Sequence, residues 1–306
     1  MSATLTREHG TAFSCLGGRT AVMAGGPHAE RLVGVTRSRL LRWHRALTRF
    51  QAYSELSLLN AAPVSRVPVS ELMCRFADAA LEAAHQTGGL VDPTLVGEIE
   101  AAGYAADWSG ESLDLGTSLA LAPPRTPARP NPRARWSRVA VDRDARTVSR
   151  PVGIRLDSGG VAKGLFADLA GEALADTPAF AVDCCGDLRL GGTDGYERPV
   201  EVTDPFGRGE PLHEFHLRDA GVATSGIGRR SWVGPDGGPA HHLIDPSTGR
   251  PAWTGVVQAT AIAPTAAEAE YRAKAALLSG PASALEWLGR GGVVVFDDGS
   301  HQVVEP

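Results

Sequence analysis

Apolar residues first recur at helical spacing within residues 27–50, where Leu32, Val35, Leu40, Trp43 and Leu47 fall roughly on one face. Arg31, Arg37, Arg39, Arg42, Arg45 and Arg49 take the opposite face, which reads as a solvated surface. A second helix is expected from Ser70, placed as an N-cap, to Thr87, with Gly88 and Gly89 ending it. Residues 9–22 read as a hairpin turning at Gly17-Gly18, and residues 50–60 as a loop or short turn rich in side chains that bond backbone. Strand patterns then dominate: 139–141 with 147–156 around Arg143-Asp144, then 179–184, 188–190, 200–203, 213–217, 221–224 and 256–263. Helical patterns separate them over 165–174 and 265–278. Pro281 suits the first turn of another helix ending near Gly289, and 293–296 with 302–304 form a closing hairpin. Mixed, largely antiparallel strands with helices packed between them predict an α+β fold.

The chain has 306 residues, 43% of them hydrophobic, enough for one large domain or two intimate lobes. Residues 122–135 carry five prolines and four arginines and read as a surface insertion, not core. Strand signals resume at once after them, so residues 1–306 are taken as a single domain. A net charge of -5 gives no electrostatic case for nucleic acid. No apolar run is long enough to span a bilayer, and residues 1–10 lack an apolar signal core, so a cytoplasmic protein is expected. Cys15, Cys74, Cys184 and Cys185 make no disulfide framework or zinc spacing. Cys184 and Cys185 read as inert thiols on opposite faces of a buried strand.

Candidate chemistry begins at Asp157-Ser158-Gly159-Gly160-Val161-Ala162-Lys163-Gly164, a strand-to-helix junction with three glycines. Free N–H groups at a helix start favour an anion, although a glycine turn packing a helix on a sheet explains the same residues. The spacing is not that of a Walker A loop, since Gly164 follows Lys163. Ala223-Thr224-Ser225-Gly226 ends a strand with small hydroxyl residues that suit a phosphate. His242 stands three residues before Asp245, which Pro246 holds extended. An imidazole near a fixed carboxylate fits a general base, and a structural histidine fits the pattern too. Asp92 beside Pro93 could serve a ligand or cap a short helix. Glu270 and Lys274, at i,i+4 spacing, read as a surface ion pair.

Taken in order, these stretches resemble the ApbE-type flavin transferase family, the FAD:protein FMN transferases. His9-Gly10-Thr11 is similar to the family's Met-Gly-Thr. Thr48-Arg49-Phe50 with Ser54-Glu55-Leu56-Ser57 and Asn60 is similar to Ser-x-[Tyr/Phe]-x-x-x-Ser-Glu-x-Ser-x-x-Asn without its first serine. Gly88 to Thr94 resembles Gly-Gly-x-x-Asp-Pro-Thr. Asp157 to Gly164, with Asp168, resembles the Gly-Gly-Ile-Ala-Lys-Gly region. Ala223 to Gly226 and His242 to Gly249 resemble Ala-Thr-Ser-Gly and His-[Ile/Val]-Ile-Asp-Pro-x-Thr-Gly. Six motifs stand in register over about residues 9–290.

The resemblance implies a T-fold-like architecture and transfer of FMN from FAD to a threonine hydroxyl of an acceptor protein, with release of AMP. It implies FAD contacts from Phe50, Leu90, Val91, Asp92, Gly159, Leu165, Thr224 and Ile244. It assigns proton transfer or phosphate polarisation to His242 and Asp245, and Mg²⁺ to the Ala162 carbonyl and a carboxylate. Where the family reads Ala-Asp-x-x-x-Thr, this chain has Ala269, Glu270 and Lys274. Glutamate keeps an oxygen ligand for the metal, whereas an ammonium cannot ligate a cation. Either Lys274 displaces Mg²⁺ or the metal binds differently. Cys185 stands where the family's Gly-Gly-Asp has its first glycine. The alternatives to transfer are FAD pyrophosphatase activity and an impaired FAD-binding protein with an altered metal site.

Overall fold

The computed structural model describes residues 8–107, 110 and 112–306, so the reading of residues 1–7 lies outside the described residues. Its centre is one eight-stranded sheet whose strands follow one another in chain order, each antiparallel to the next. They are β1 (Glu8–Cys15), β2 (Gly18–Gly25), β3 (Phe180–Cys184), β4 (Asp187–Gly191), β5 (Ala220–Gly226), β6 (Val256–Ala263), β7 (Gly292–Phe296) and β8 (His301–Val304). All eight residues of β6 are buried, as expected of a central strand covered on both faces.

Seven helices are described: α1 (Ala29–Leu47), α2 (Glu55–Ala61), α3 (Glu71–Gln86), α4 (Val96–Ala101), α5 (Leu115–Leu121), α6 (Ala162–Glu172) and α7 (Ala266–Ser279). Among them α1 packs on β1 and β2, α6 on β3 and β4, and α7 on β5 and β6. The ribbon Arg198–Val202 with His213–Leu217 adds Val200, Val202, Phe215 and Leu217 to the buried cluster around β5 to β7. None of the described helices is long and apolar enough to cross a membrane.

The expected α+β architecture is the one observed, and most elements stand where the pattern placed them. Ser70 caps α3 by accepting from the Met73 N–H at 3.2 Å. The first hairpin turns one residue earlier than expected, at Leu16 (φ 58°) and Gly17 (φ 74°), two consecutive left-handed residues as a type I′ turn requires. Residues 50–60 are not all loop. Ser54 accepts from the Ser57 N–H at 3.0 Å, and Leu56 and Leu59 are buried, which makes the seven-residue α2. The helix expected after Pro281 shortens to a 3₁₀ turn, Ala284–Trp287.

Residues 122–135 lie at the surface as expected, with Ala128 their only buried residue. They form an extended strap whose Thr126 N–H donates to the Trp253 carbonyl at 2.8 Å and whose Ala128 N–H donates to the Leu278 carbonyl at 2.9 Å. Ala128 joins the second buried cluster, which anchors the strap to the core at that residue. Its prolines suit an extended path. Cys185 is not on the strand but in the turn after β3, at φ 61°, while Cys184 is fully buried. A left-handed position explains why glycine suits that place in the family's motif. Glu270 and Lys274 are not a surface pair, with relative exposures of 0% and 8%.

Helices α6 and α7 meet unusually closely. A Cβ on Gly164 would stand 2.5 Å from the Ala266 carbonyl oxygen, so no side chain fits there. Asp168 on α6 accepts from the Ala266 and Ala267 N–H groups at 2.8 and 2.9 Å, satisfying free donors at the start of α7.

Candidate active site

A cleft enclosing about 1320 Å³, its open mouth included, runs between the end of α1, residues 90–95, the start of α6, residues 242–244 and α7. The Ser-Glu-x-Ser-x-x-Asn stretch shapes it from behind. Asn60 donates through Nδ2 to the Leu156 carbonyl at 2.8 Å and accepts the Leu156 N–H at 2.7 Å, fixing the chain just before the glycine loop. Ser158 Oγ donates to the Leu47 carbonyl at 2.8 Å and ties that loop to the end of α1. Of the loop's glycines, Gly164 is required by helix packing. Gly160 would meet only Val91, at 3.6 Å, and lines the cleft with Gly159.

One end is cationic. Lys163, Arg230, His242 and Lys274 line it. Behind them, Lys163 Nζ donates to Asp187 Oδ2 at 2.7 Å and Lys274 Nζ to Glu270 Oε1 at 2.8 Å, while Glu270 Oε2 accepts the Gly164 N–H at 2.8 Å. Burial works against charge on Lys163, but Asp187 and Glu270 outweigh it and hold its pKa above the ordinary lysine value. Burial likewise opposes the Glu270 carboxylate, and Lys274 and Lys163 outweigh it, leaving its pKa below the usual value. Burial, aided by Arg230 and Lys274, holds His242 well below the ordinary imidazole value, so the ring is neutral. Its Nδ1 has no hydrogen-bond partner.

This donor set does not fit Mg²⁺. Both Glu270 oxygens are occupied, one by an ammonium that would repel the ion, and Mg²⁺ needs oxygen ligands at about 2.0–2.1 Å. Asp187 Oδ1 has no partner, yet Asp187 does not line the cleft. No group of three or more His, Cys, Asp or Glu among the described residues is placed to hold a metal ion.

The other end is aromatic. Phe50 meets Tyr104 edge to face at 5.5 Å, and Tyr104 stacks on Trp232 at 5.5 Å. The Arg49 guanidinium lies over Phe50 at 4.3 Å and Tyr104 at 5.0 Å, with Asp157 3.4 Å from its Nε. Leu95, Ile99 and Ile244 supply the apolar wall. Asp92 uses Oδ1 to accept from Thr94 N and Oγ1, at 2.8 and 2.5 Å, and leaves Oδ2 buried without a partner. Burial raises its pKa, with the Thr94 bonds acting against that.

Phe50, Leu90, Val91, Asp92, Gly159, Ala162, His242 and Ile244 therefore converge on one cleft, and Leu165, Thr224, Asp245 and Glu270 do not line it. Leu165 belongs to the core, and Thr224 Oγ1 bonds Thr260 Oγ1 at 2.8 Å. The Asp245 carboxylate is taken up locally, accepting from Arg129 N, Ser247 N, Ser247 Oγ and Thr248 Oγ1 at 2.9–3.1 Å. Glu270 stands behind Lys274. Arg49, Tyr104, Lys163 and Arg230 were not among the expected contacts, whereas Lys274 was one of the two alternatives at the metal position. Lys163 and Arg49 stand inside the quoted motifs, whereas no spacing marks Tyr104 or Arg230.

The ApbE family model matches residues 20–296. The chain belongs to the ApbE family. It is similar to the FAD:protein FMN transferase of Treponema pallidum, 34% identical over 144 residues, which is 42% of this chain and 39% of that one. It is 26% identical over 275 residues to that of Klebsiella pneumoniae, 88% of this chain and 77% of the relative. The match to the Escherichia coli K12 protein is 41% over 120 residues, 38% and 34% of the two chains. The chain thus spans about two fifths of the Treponema relative and one third of the Escherichia coli relative over the matched stretches. The fold is shared with the ApbE protein of Thermotoga maritima, at a TM-score of 0.78 and 24% identity over 98% of this chain and 97% of that one. It is shared too with the flavinyl transferase ApbE of Pseudomonas stutzeri, at 0.75 and 20% over 99% and 96%.

Proposed function

We propose that this ApbE-family chain binds FAD in the cleft and transfers its FMN half to a threonine hydroxyl of an acceptor protein. What carries the reading is one cleft lined by aromatic and apolar side chains on one part and by cations on another, a pattern that suits a flavin joined to a pyrophosphate. The isoalloxazine packs against Phe50, Leu90 and Ile244. Asp92 Oδ2 and the 90–92 backbone meet its polar edge, since a buried unpartnered oxygen needs a hydrogen-bonding partner.

The pyrophosphate lies against Gly159, the start of α6, and the Lys163, Lys274 and Arg230 cations. The threonine oxygen bonds to the phosphorus on the flavin side, and the bond from that phosphorus to the bridging oxygen breaks. AMP leaves with the electron pair. The hydroxyl proton passes to His242 Nδ1, whose basicity rises as the incoming phosphates offset the neighbouring cations. Asp245 acts by holding the turn that carries His242 and Ile244.

Incubation with FAD and a threonine-bearing acceptor protein is expected to add one FMN mass to the acceptor, read by mass spectrometry, with one AMP released. No FMN increment under any condition overturns transfer. FMN and AMP released without an acceptor identify the pyrophosphatase, in which water replaces the threonine, and bound FAD that stays intact identifies an impaired enzyme. We also infer a single domain, because strands from both ends of the chain share one sheet.

A further inference from the structure

The charges at the cationic end are arranged with a direction. Lys163 and Lys274 line the cleft, and the carboxylates that hold them, Asp187 and Glu270, stand behind and do not. A buried ion pair kept only for stability gains nothing from such a direction, since an apolar pair of the same volume does as well. Each ammonium carries three donors and spends one on its carboxylate, leaving two for a ligand. Glu270 is gripped from both sides, by Lys274 on Oε1 and by the Gly164 N–H on Oε2, so the ammonium is held at a fixed place beside the start of α6. The Gly164 contact and the Asp168 bonds lock the two helices that carry these lysines.

We propose that the Lys274 ammonium, positioned by Glu270, takes the place of a divalent cation on the pyrophosphate of FAD, so that this chain binds and cleaves the dinucleotide without metal. The proposal rests on the FAD reading and changes what neutralises the phosphates. An ammonium supplies charge and hydrogen bonds to the phosphate oxygens but no open coordination position. The attacking hydroxyl is therefore oriented by protein groups alone, His242 first among them. A bound Mg²⁺ would have to share Glu270 Oε1 with an ammonium 2.8 Å away, a like-charge contact the site does not relieve.

Calorimetric titration of the native protein with FAD, once with chelator and once with millimolar Mg²⁺, tests this directly. The expected result is the same affinity in both. A tenfold or greater loss in chelator overturns the proposal, as does stoichiometric Mn²⁺ uptake by the native protein–FAD complex in an electron spin resonance titration. Lys274→Met is expected to weaken FAD binding roughly tenfold to a hundredfold, the effect of losing a charged hydrogen-bond donor. Lys274→Thr, with Glu270 intact and a neutral oxygen in place of the ammonium, is expected to recover affinity on adding Mg²⁺. Glu270→Gln is expected to weaken FAD binding, with Lys274→Arg retaining most of it. Failure of the transferase reading looks different: metal-independent binding and cleavage of FAD to FMN and AMP with no FMN adduct sinks transfer and keeps this inference, whereas metal-independent binding of FAD that stays intact overturns the cleavage it asserts. An adduct that forms only with Mg²⁺ keeps transfer and sinks this inference, and FAD bound under neither condition overturns both.

Discussion

At the cationic end of the cleft every charged group except Arg230 sits on a long helix or at the start of a sheet strand: Lys163 on α6, Glu270 and Lys274 on α7, Asp187 on β4. At the aromatic end the wall comes from connections, with Phe50 after α1, Tyr104 after α4 and Ile244 on a two-residue strand. The first end is held by ion pairs whose carboxylates are buried, and the second by ring contacts. Charge placed in low dielectric must be located by rigid structure, because a displaced partner leaves an unpaired buried ion. A flat ring is recognised by surface, and loops present surface adequately.

That contrast can be broken experimentally, starting at the cationic end. Lys163→Met leaves the Asp187 carboxylate buried without its cation and is expected to lower unfolding free energy by about 3–5 kcal/mol in urea denaturation. A loss comparable to an ordinary surface substitution would show that this end is not held by charge. Phe50→Ala should behave oppositely. Stability is expected to change by about 1 kcal/mol, while FMN binding weakens about tenfold and ADP binding stays put. Equal weakening of FMN and ADP would remove the ring from that end.

A further test, read per pH unit, concerns His241, which stands behind the cleft beside His242 on its wall. His241 is fully buried, 4.7 Å from Trp253 in an edge contact, and burial pushes its pKa down to about 3. Its folded value lies below the unfolded one, so the stability it supports is complete above about pH 6.5 and is lost as pH falls toward 3. Asp168, pushed up to about 6 by burial, acts with the opposite sign, its contribution fading as pH rises from about 4 through 6. His241→Phe shares Asp168 with the native protein and so isolates the histidine. Between pH 6 and 4 the variant is expected to lose less stability than the native chain, by up to about 1.4 kcal/mol per pH unit. Parallel acid profiles would mean His241 is not the source.

How much of this was legible in the sequence depended on whether a signal was local. Helices α1 and α3, the hairpins and the central strands follow from periodicity, glycines and the Ser70 cap. The seven-residue α2 was hidden because its capping serine also reads as a loop residue. The strap at 122–135 was legible as surface from its prolines and arginines, but the bonds by which its Thr126 and Ala128 N–H groups anchor it were not. Glu270 and Lys274 at i,i+4 spacing look the same buried or exposed, and only packing against α6 tells them apart. The glycine loop at 157–164, Asp92 and His242 follow from motifs. Arg230 and Tyr104 reach the cleft through long-range folding and carry no local mark. Asp245 was legible as important in its turn, but its engagement with four donors is a fact of geometry.

The contact at Gly164 has a consequence for selectivity. Because α6 and α7 touch backbone to backbone there, the spacing between the two ammoniums is set before any ligand arrives. On the proposed function, the helix pair works as a ruler: it would admit a linked pair of phosphates at little reorganisation cost and give a single phosphate only half of its marks.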